Sequence, residues 1–223
     1  MKKNFGVILL LFATYACMES KKLIPEEIIR KSIAFHDAKG EWKDFNYRLD
    51  FVANTAKGEQ INTTIHIDNR KNYFRFIQKN ANTDVGIEKD SCFSYDNHPI
   101  NCERTKSTRN YWLFLWGQPM KLLDKGTVLD TLVVEENFEG YNCFRIKVVY
   151  PKDVWYYFFD TSNFALRGKE FYIDEEKNLG EKMILSGEVA IEGIKFPEKR
   201  SWINTSDSTY LQTDILVNSI KRK

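Results

Sequence analysis

A chain of 223 residues that is 43% apolar and 14% aromatic can bury a sizeable core, and a 29% share of charged residues is that of an ordinary globular protein, which argues against a disordered chain. The formal charge is +2, and loss of Lys2 and Lys3 with a leader leaves 31 basic against 31 acidic residues. A neutral chain lacks the clustered Lys and Arg excess that nucleic-acid binding requires, so no nucleic-acid partner is expected.

The chain begins with a positive stretch, Met1-Lys2-Lys3-Asn4, followed by an uncharged apolar run from Phe5 to Ala16. This pattern reads as a signal peptide over residues 1–16. The run falls short of the roughly 20 apolar residues that a membrane-spanning helix needs. Thr14-Tyr15-Ala16-Cys17 resembles the lipobox of bacterial lipoproteins: Ala16 and Cys17 fit it, whereas Thr14 and Tyr15 depart from it. The resemblance implies lipid attachment at Cys17; ordinary secretory cleavage after Ala16, leaving a bare thiol, is the rival. Two or three acyl chains on Cys17 anchor a protein stably where one gives only marginal binding. Residues 17–23 then form a lipidated tether, and 24–223 a single domain in the cell envelope, at the outer membrane facing the periplasm.

Pro25-Glu26-Glu27 opens a helix over about 25–38, with proline in the first turn, acids at the positive end of the dipole and Gly40 as the stop. From there the period changes to two. Phe45, Tyr47, Leu49 and Phe51 alternate with mostly polar neighbours, as do Ile61, Ile65 and Ile67, and Asp68-Asn69-Arg70-Lys71 turns the chain into Tyr73–Ile77. Cys92 and Cys102 bracket a segment with strand-like ends and an Asp-Asn-His-Pro turn. They are disulfide candidates across a hairpin; two reduced thiols are the alternative. Between Thr108 and Leu123 the pattern breaks, and Tyr111-Trp112-Leu113-Phe114-Leu115-Trp116 reads as a short buried helix ending near Gly117.

Strands resume with Val128–Val134, Phe144–Tyr150, Val154–Phe159 and Leu166–Ile173. Met183–Ile191 meets Ile194–Ile203 across Glu192-Gly193, a tight hairpin signal, and Thr209–Ile220 is the last strand. The expected architecture is mainly β (α+β), a single strongly curved antiparallel sheet of about ten or eleven strands with two helices.

This order of elements resembles the lipoprotein-carrier fold of the Lol type across about residues 24–221. The segments that carry the likeness are Ile28-Ile29-Arg30-Lys31-Ser32-Ile33-Ala34-Phe35-His36, Trp155-Tyr156-Tyr157-Phe158-Phe159-Asp160 and Glu192-Gly193-Ile194-Lys195-Phe196-Pro197. They are also similar to an uncharacterised family of envelope lipoproteins related to that fold. The resemblance implies an incomplete barrel whose N-terminal and mid-chain helices pack on the concave face, and a carrier that handles acylated proteins. Relatives often place glycines after the histidine of the first helix, where this chain has Asp37 and Ala38.

No spacing of His36, His66 and His98 matches a zinc site, and no phosphate loop, nucleophile elbow or dinucleotide fingerprint occurs, so neither metal, cofactor nor enzyme activity is expected. His36 reads as a capping or packing residue, His66 as solvated, and Cys143 as an inert strand thiol. Trp112, Leu115 and Trp116 share a helical face, and Trp155, Tyr157 and Phe159 share a strand face. These six either fill a core or line a pocket for a lipid, an acyl chain or another apolar ligand. A structural or interaction module that engages another envelope protein, with no small ligand, is the second reading.

Overall fold

The computed structural model describes residues 23–95 and 99–222. Helix α1 (Pro25–His36) carries Pro25 in its first turn and Glu26 and Glu27 beside the positive end of its dipole. It buries Ile28 and Ile29 completely, each contributing roughly 1.5–3 kcal/mol. The helix stops at His36, four residues before Gly40, because Asp37 turns away to cap the next segment. Its carboxylate accepts the backbone N–H groups of Glu41 and Trp42, which start the 3-10 turn Glu41–Asp44.

The chain then forms a meander of β1 (Asn46–Thr55), β2 (Gln60–Asp68), β3 (Tyr73–Gln78), β4 (Thr83–Glu88) and β5 (Ser91–Ser94). Helix α2 (Cys102–Trp116) and the 3-10 turn Met120–Leu123 lead to β6 (Val128–Phe138) at the opposite border of the same sheet. A second meander returns through β7 (Tyr141–Val149), β8 (Val154–Asp160), β9 (Leu166–Asp174) and β10 (Leu179–Ser186). After the short hairpin of β11 (Val189–Ile191) and β12 (Ile194–Phe196), β13 (Lys199–Asn204) and β14 (Tyr210–Lys221) close the sheet onto β1. The result is a 12-stranded antiparallel sheet in the order β5-β4-β3-β2-β1-β14-β13-β10-β9-β8-β7-β6, with β5 and β6 as unpaired borders. The ladder of β6 on β7 is interrupted by a bulge between Leu129 and Val133.

Two ring contacts of α2 show how far this sheet curls. Trp112 lies 5.9 Å from Phe76 of β3, and Phe114 lies 5.2 Å from Trp155 of β8. Seven inter-strand steps separate β3 from β8, about 33 Å in a flat sheet. One helix reaches both strands within three residues only because the sheet wraps round it. The main core accordingly joins Leu49, Phe51, Ile65 and Phe74 of the first meander to Met183 of the second and to Trp202 of β13 and Leu216 of β14, with Leu115 and Trp116 between them. A second core sets Ile28 and Ile29 of α1 against Ile146, Val148, Tyr157 and Phe159.

Three sequence expectations change. Fourteen strands are present among the described residues rather than ten or eleven. Part of the excess comes from the expected long hairpin over 183–203, which divides: Gly187, at φ 67°, and Pro197 separate the outer halves, which stay in the large sheet, from the inner halves, which peel off as β11 and β12. The mid-chain helix begins at Cys102, six residues before the expected Thr108, because Asn101 caps it by accepting the Arg104 N–H at 3.0 Å. Cys102 therefore opens a helix instead of ending a hairpin strand, and its disulfide with Cys92 ties α2 to the border strand β5.

Candidate functional site

The curl leaves a cavity of about 890 Å³ on the β8 side of α2. Its apolar wall comes from Tyr111, Leu113 and Phe114 of α2 and from Tyr150 and Trp155 around the β7–β8 turn. Arg109, Lys121 and Lys152 stand around it, with Asp68 and Asp153 as acids. Asp153 is engaged, accepting the indole N–H of Trp155 at 2.8 Å. A second hollow of about 670 Å³ lies on the other flank of α2, between Trp112 and β3–β4. Its lining is more polar, with Gln78, Asn82, Thr83 and Arg104 beside Phe76 and Val85.

Beneath the last turn of α2 the interior is polar and closed. Lys169 of β9 and Arg200 of β13 point inward and are 1% and 2% exposed. The Lys169 ammonium donates to the Gln118 side-chain oxygen, and the Gln118 amide donates to the Tyr157 hydroxyl at 2.9 Å. The rings of Phe114 and Trp155 stand 5.7 and 5.5 Å from the Lys169 nitrogen and part it from that cavity. Burial drives the Lys169 pKa well below its ordinary value, with the Arg200 charge adding to the fall. Burial also brings Arg200 down to about 9, opposed by Asp214 on the adjacent strand. Arg200 sits over the Trp116 ring, its guanidinium carbon 3.2 Å from the ring centre. Asp214 and Glu181 are both raised by loss of water.

His36 joins α1 to the sheet. Its Nε2 accepts the Leu166 N–H at 3.0 Å, so the proton sits on Nδ1, which donates to the Lys195 carbonyl at 2.7 Å. Burial holds its pKa below 6.5 and the ring stays neutral. His66 is not the solvated residue expected: it is half-buried, its Nδ1 has no partner, and burial with the charges of Arg222, Arg75 and Arg48 lowers it to about 4. Cys143 is buried and its thiol is pushed up to about 11, chiefly by desolvation. No group of three or more metal-ligating side chains occurs among the described residues, and no described helix is long and apolar enough to cross a membrane.

The six aromatic and aliphatic candidates separate by position. Trp155 lines the large cavity and Trp112 the smaller one, where its ring also lies 5.3 Å from Phe51. Leu115, Trp116, Tyr157 and Phe159 are buried in the two cores. Cys17 and His98 lie outside the described residues. Leu113, Phe114 and Tyr150 were not singled out by sequence, although Leu113 and Phe114 sit inside the apolar run that was.

The chain belongs to DUF6503, a family of unknown function. The family spans residues 2–219. Among solved structures, the DUF6503 chain is similar to a LolA superfamily protein from Nitrosomonas europaea, with a TM-score of 0.58 and 8% identity over 91% of this chain and 95% of that one. It is also similar to a DUF1329 family protein from Desulfovibrio piger, with a TM-score of 0.55 and 8% identity over 88% of this chain and 92% of that one. The fold is therefore of the Lol type, as the order of elements implied. No curated protein matches the chain.

Proposed function

We propose that this protein is a lipoprotein of the cell envelope, anchored through acyl chains on Cys17, that holds an amphiphile between α2 and the rim of its sheet. The observation that carries the reading is the 890 Å³ cavity, whose apolar wall of Leu113, Phe114, Tyr150 and Trp155 adjoins three cationic side chains. Its volume lies within the roughly 300–1,000 Å³ of small-molecule sites. An apolar chain fits the wall, and an acidic head fits Arg109 and Lys152, with Lys121 beside them paired to Asp124. The Lol-type fold supports the same choice by analogy.

Binding without catalysis is the reading that His36 supports, since it spends both ring nitrogens on backbone groups and has no carboxylate partner. Mass spectrometry of solvent extracts from the purified Cys17→Ser protein tests the proposal. Expected is a co-purified acyl lipid, displaced by a fluorescent fatty acid whose affinity drops tenfold or more in Trp155→Ala and Leu113→Asp. Absence of both lipid and probe binding contradicts it. The anchor has a separate test: Cys17→Ser should leave the membrane fraction, and unchanged membrane association would refute lipidation.

A further inference from the structure

We propose that Lys169 and Arg200 hold a monovalent inorganic anion of halide size in the small cavity between them. The cavity beneath the end of α2 has about 10 Å³ and is walled by both cations, Gln118, Leu115, Leu185 and Pro197. That is room for one water-sized body, too little for a carboxylate or a phosphate. Lys169 gives one of its N–H donors to Gln118, which leaves two unused. Arg200 has no protein partner at Nε or Nη1, although both atoms are buried.

Charge separates an anion from a water at this place. A water would satisfy donors but bring no charge, so Lys169, 1% exposed beside the 2% exposed Arg200, would have to give up its proton; an anion between them lets both stay charged. The nearest acid on the neighbouring strand, Asp214, has both carboxylate oxygens engaged, by Trp202 Nε1 at 2.8 Å and Gln212 Nε2 at 2.9 Å. It can answer at most one of the two charges. His36, also in the wall, is neutral and adds none. A halide supplies the missing negative charge, accepts from several donors without geometric preference and fits the volume.

Thermal unfolding of the purified protein, with chloride exchanged for gluconate at constant ionic strength, reads the site out. The melting temperature should rise by about 3–6 °C at ten times the dissociation constant and go on rising with the logarithm of chloride above it. Lys169→Met and Arg200→Met should give flat curves. A crystal soaked in sodium bromide should show an anomalous peak within hydrogen-bond distance of the Lys169 ammonium, and this measurement stands even if neither variant folds. A flat wild-type curve, an equal rise in the variants, or a cavity with water and no anomalous peak would each overturn the assignment, the last by leaving Lys169 as a neutral amine. Lipid binding in the large cavity is untouched by any of these results, so the two proposals fail separately.

Discussion

The large cavity beside α2 and the small chamber under its last turn are made by the same helix, yet they differ in almost every physical respect. The cavity is broad, has apolar walls and keeps its cations near its rim, where water can reach them. The chamber is closed, holds two cations with almost no exposure and fits one small species. Phe114 and Trp155 line the cavity and cover the Lys169 ammonium that the chamber holds. Under the proposed function the contrast separates two tasks: rim residues select the ligand, and chamber residues hold α2 in its seat.

The strongest test of that division is Trp116→Ala, which empties the space between Phe51 and Phe196 and strips the ring on which Arg200 rests. The expected loss is about 3–5 kcal/mol in urea unfolding. A loss under about 1 kcal/mol would mean that the chamber collapses without resistance, and the distinction would fail. Replacing Cys92 and Cys102 together by Ser should remove about 2–3 kcal/mol and expose the first turns of α2 to proteolysis. Gln118→Leu leaves Lys169 and Tyr157 without their shared partner and should cost about 1–3 kcal/mol while probe binding in the cavity persists.

Acid should loosen the attachment of α1 to the sheet through His36. Because the folded ring has a lowered pKa, the unfolded chain takes up more protons below pH 6.5. The contribution of His36 is therefore complete above that pH and is lost as pH falls towards the folded value. His66 acts in the same direction, in a window that closes near pH 4. Melting temperatures from pH 8 to 4 should decline in the wild type and flatten in part in His36→Gln, with His66→Asn separating the two. The smallest effect is expected at the exposed rim: Lys152→Ala should change stability by less than about 0.5 kcal/mol and yet weaken binding of an acidic amphiphile.

The sheet was legible where alternation has one dry face. Tyr47, Leu49 and Phe51, or Trp155, Tyr157 and Phe159, announce their strands, and the structure puts each set on the inner side. The first half of α2 was not, because Glu103, Arg104, Lys106 and Ser107 lie at the surface and give no apolar period. Its start was marked by Asn101, a cap that is plain only once the helix is known. Lys169 and Arg200 were hidden for a stronger reason. A charged residue in an alternating strand reads as outward, and only the closure of twelve strands round α2 shows that these two face in. The division at Gly187 and Pro197 was equally invisible, since both hairpin halves carry the same apolar alternation on either side of the break.

An open sheet has two borders where a foreign strand could add, and the chain treats them differently. The β5 border is four residues long and bolted to α2 by the Cys92–Cys102 bridge. The β6 border is eleven residues long and displays Val128 and Leu132, but its bulge between Leu129 and Val133 throws the repeat out of step. A neighbouring copy zipping along that border would lose its register after a few residues, so crowding of many such molecules on one surface need not end in fibrous stacking.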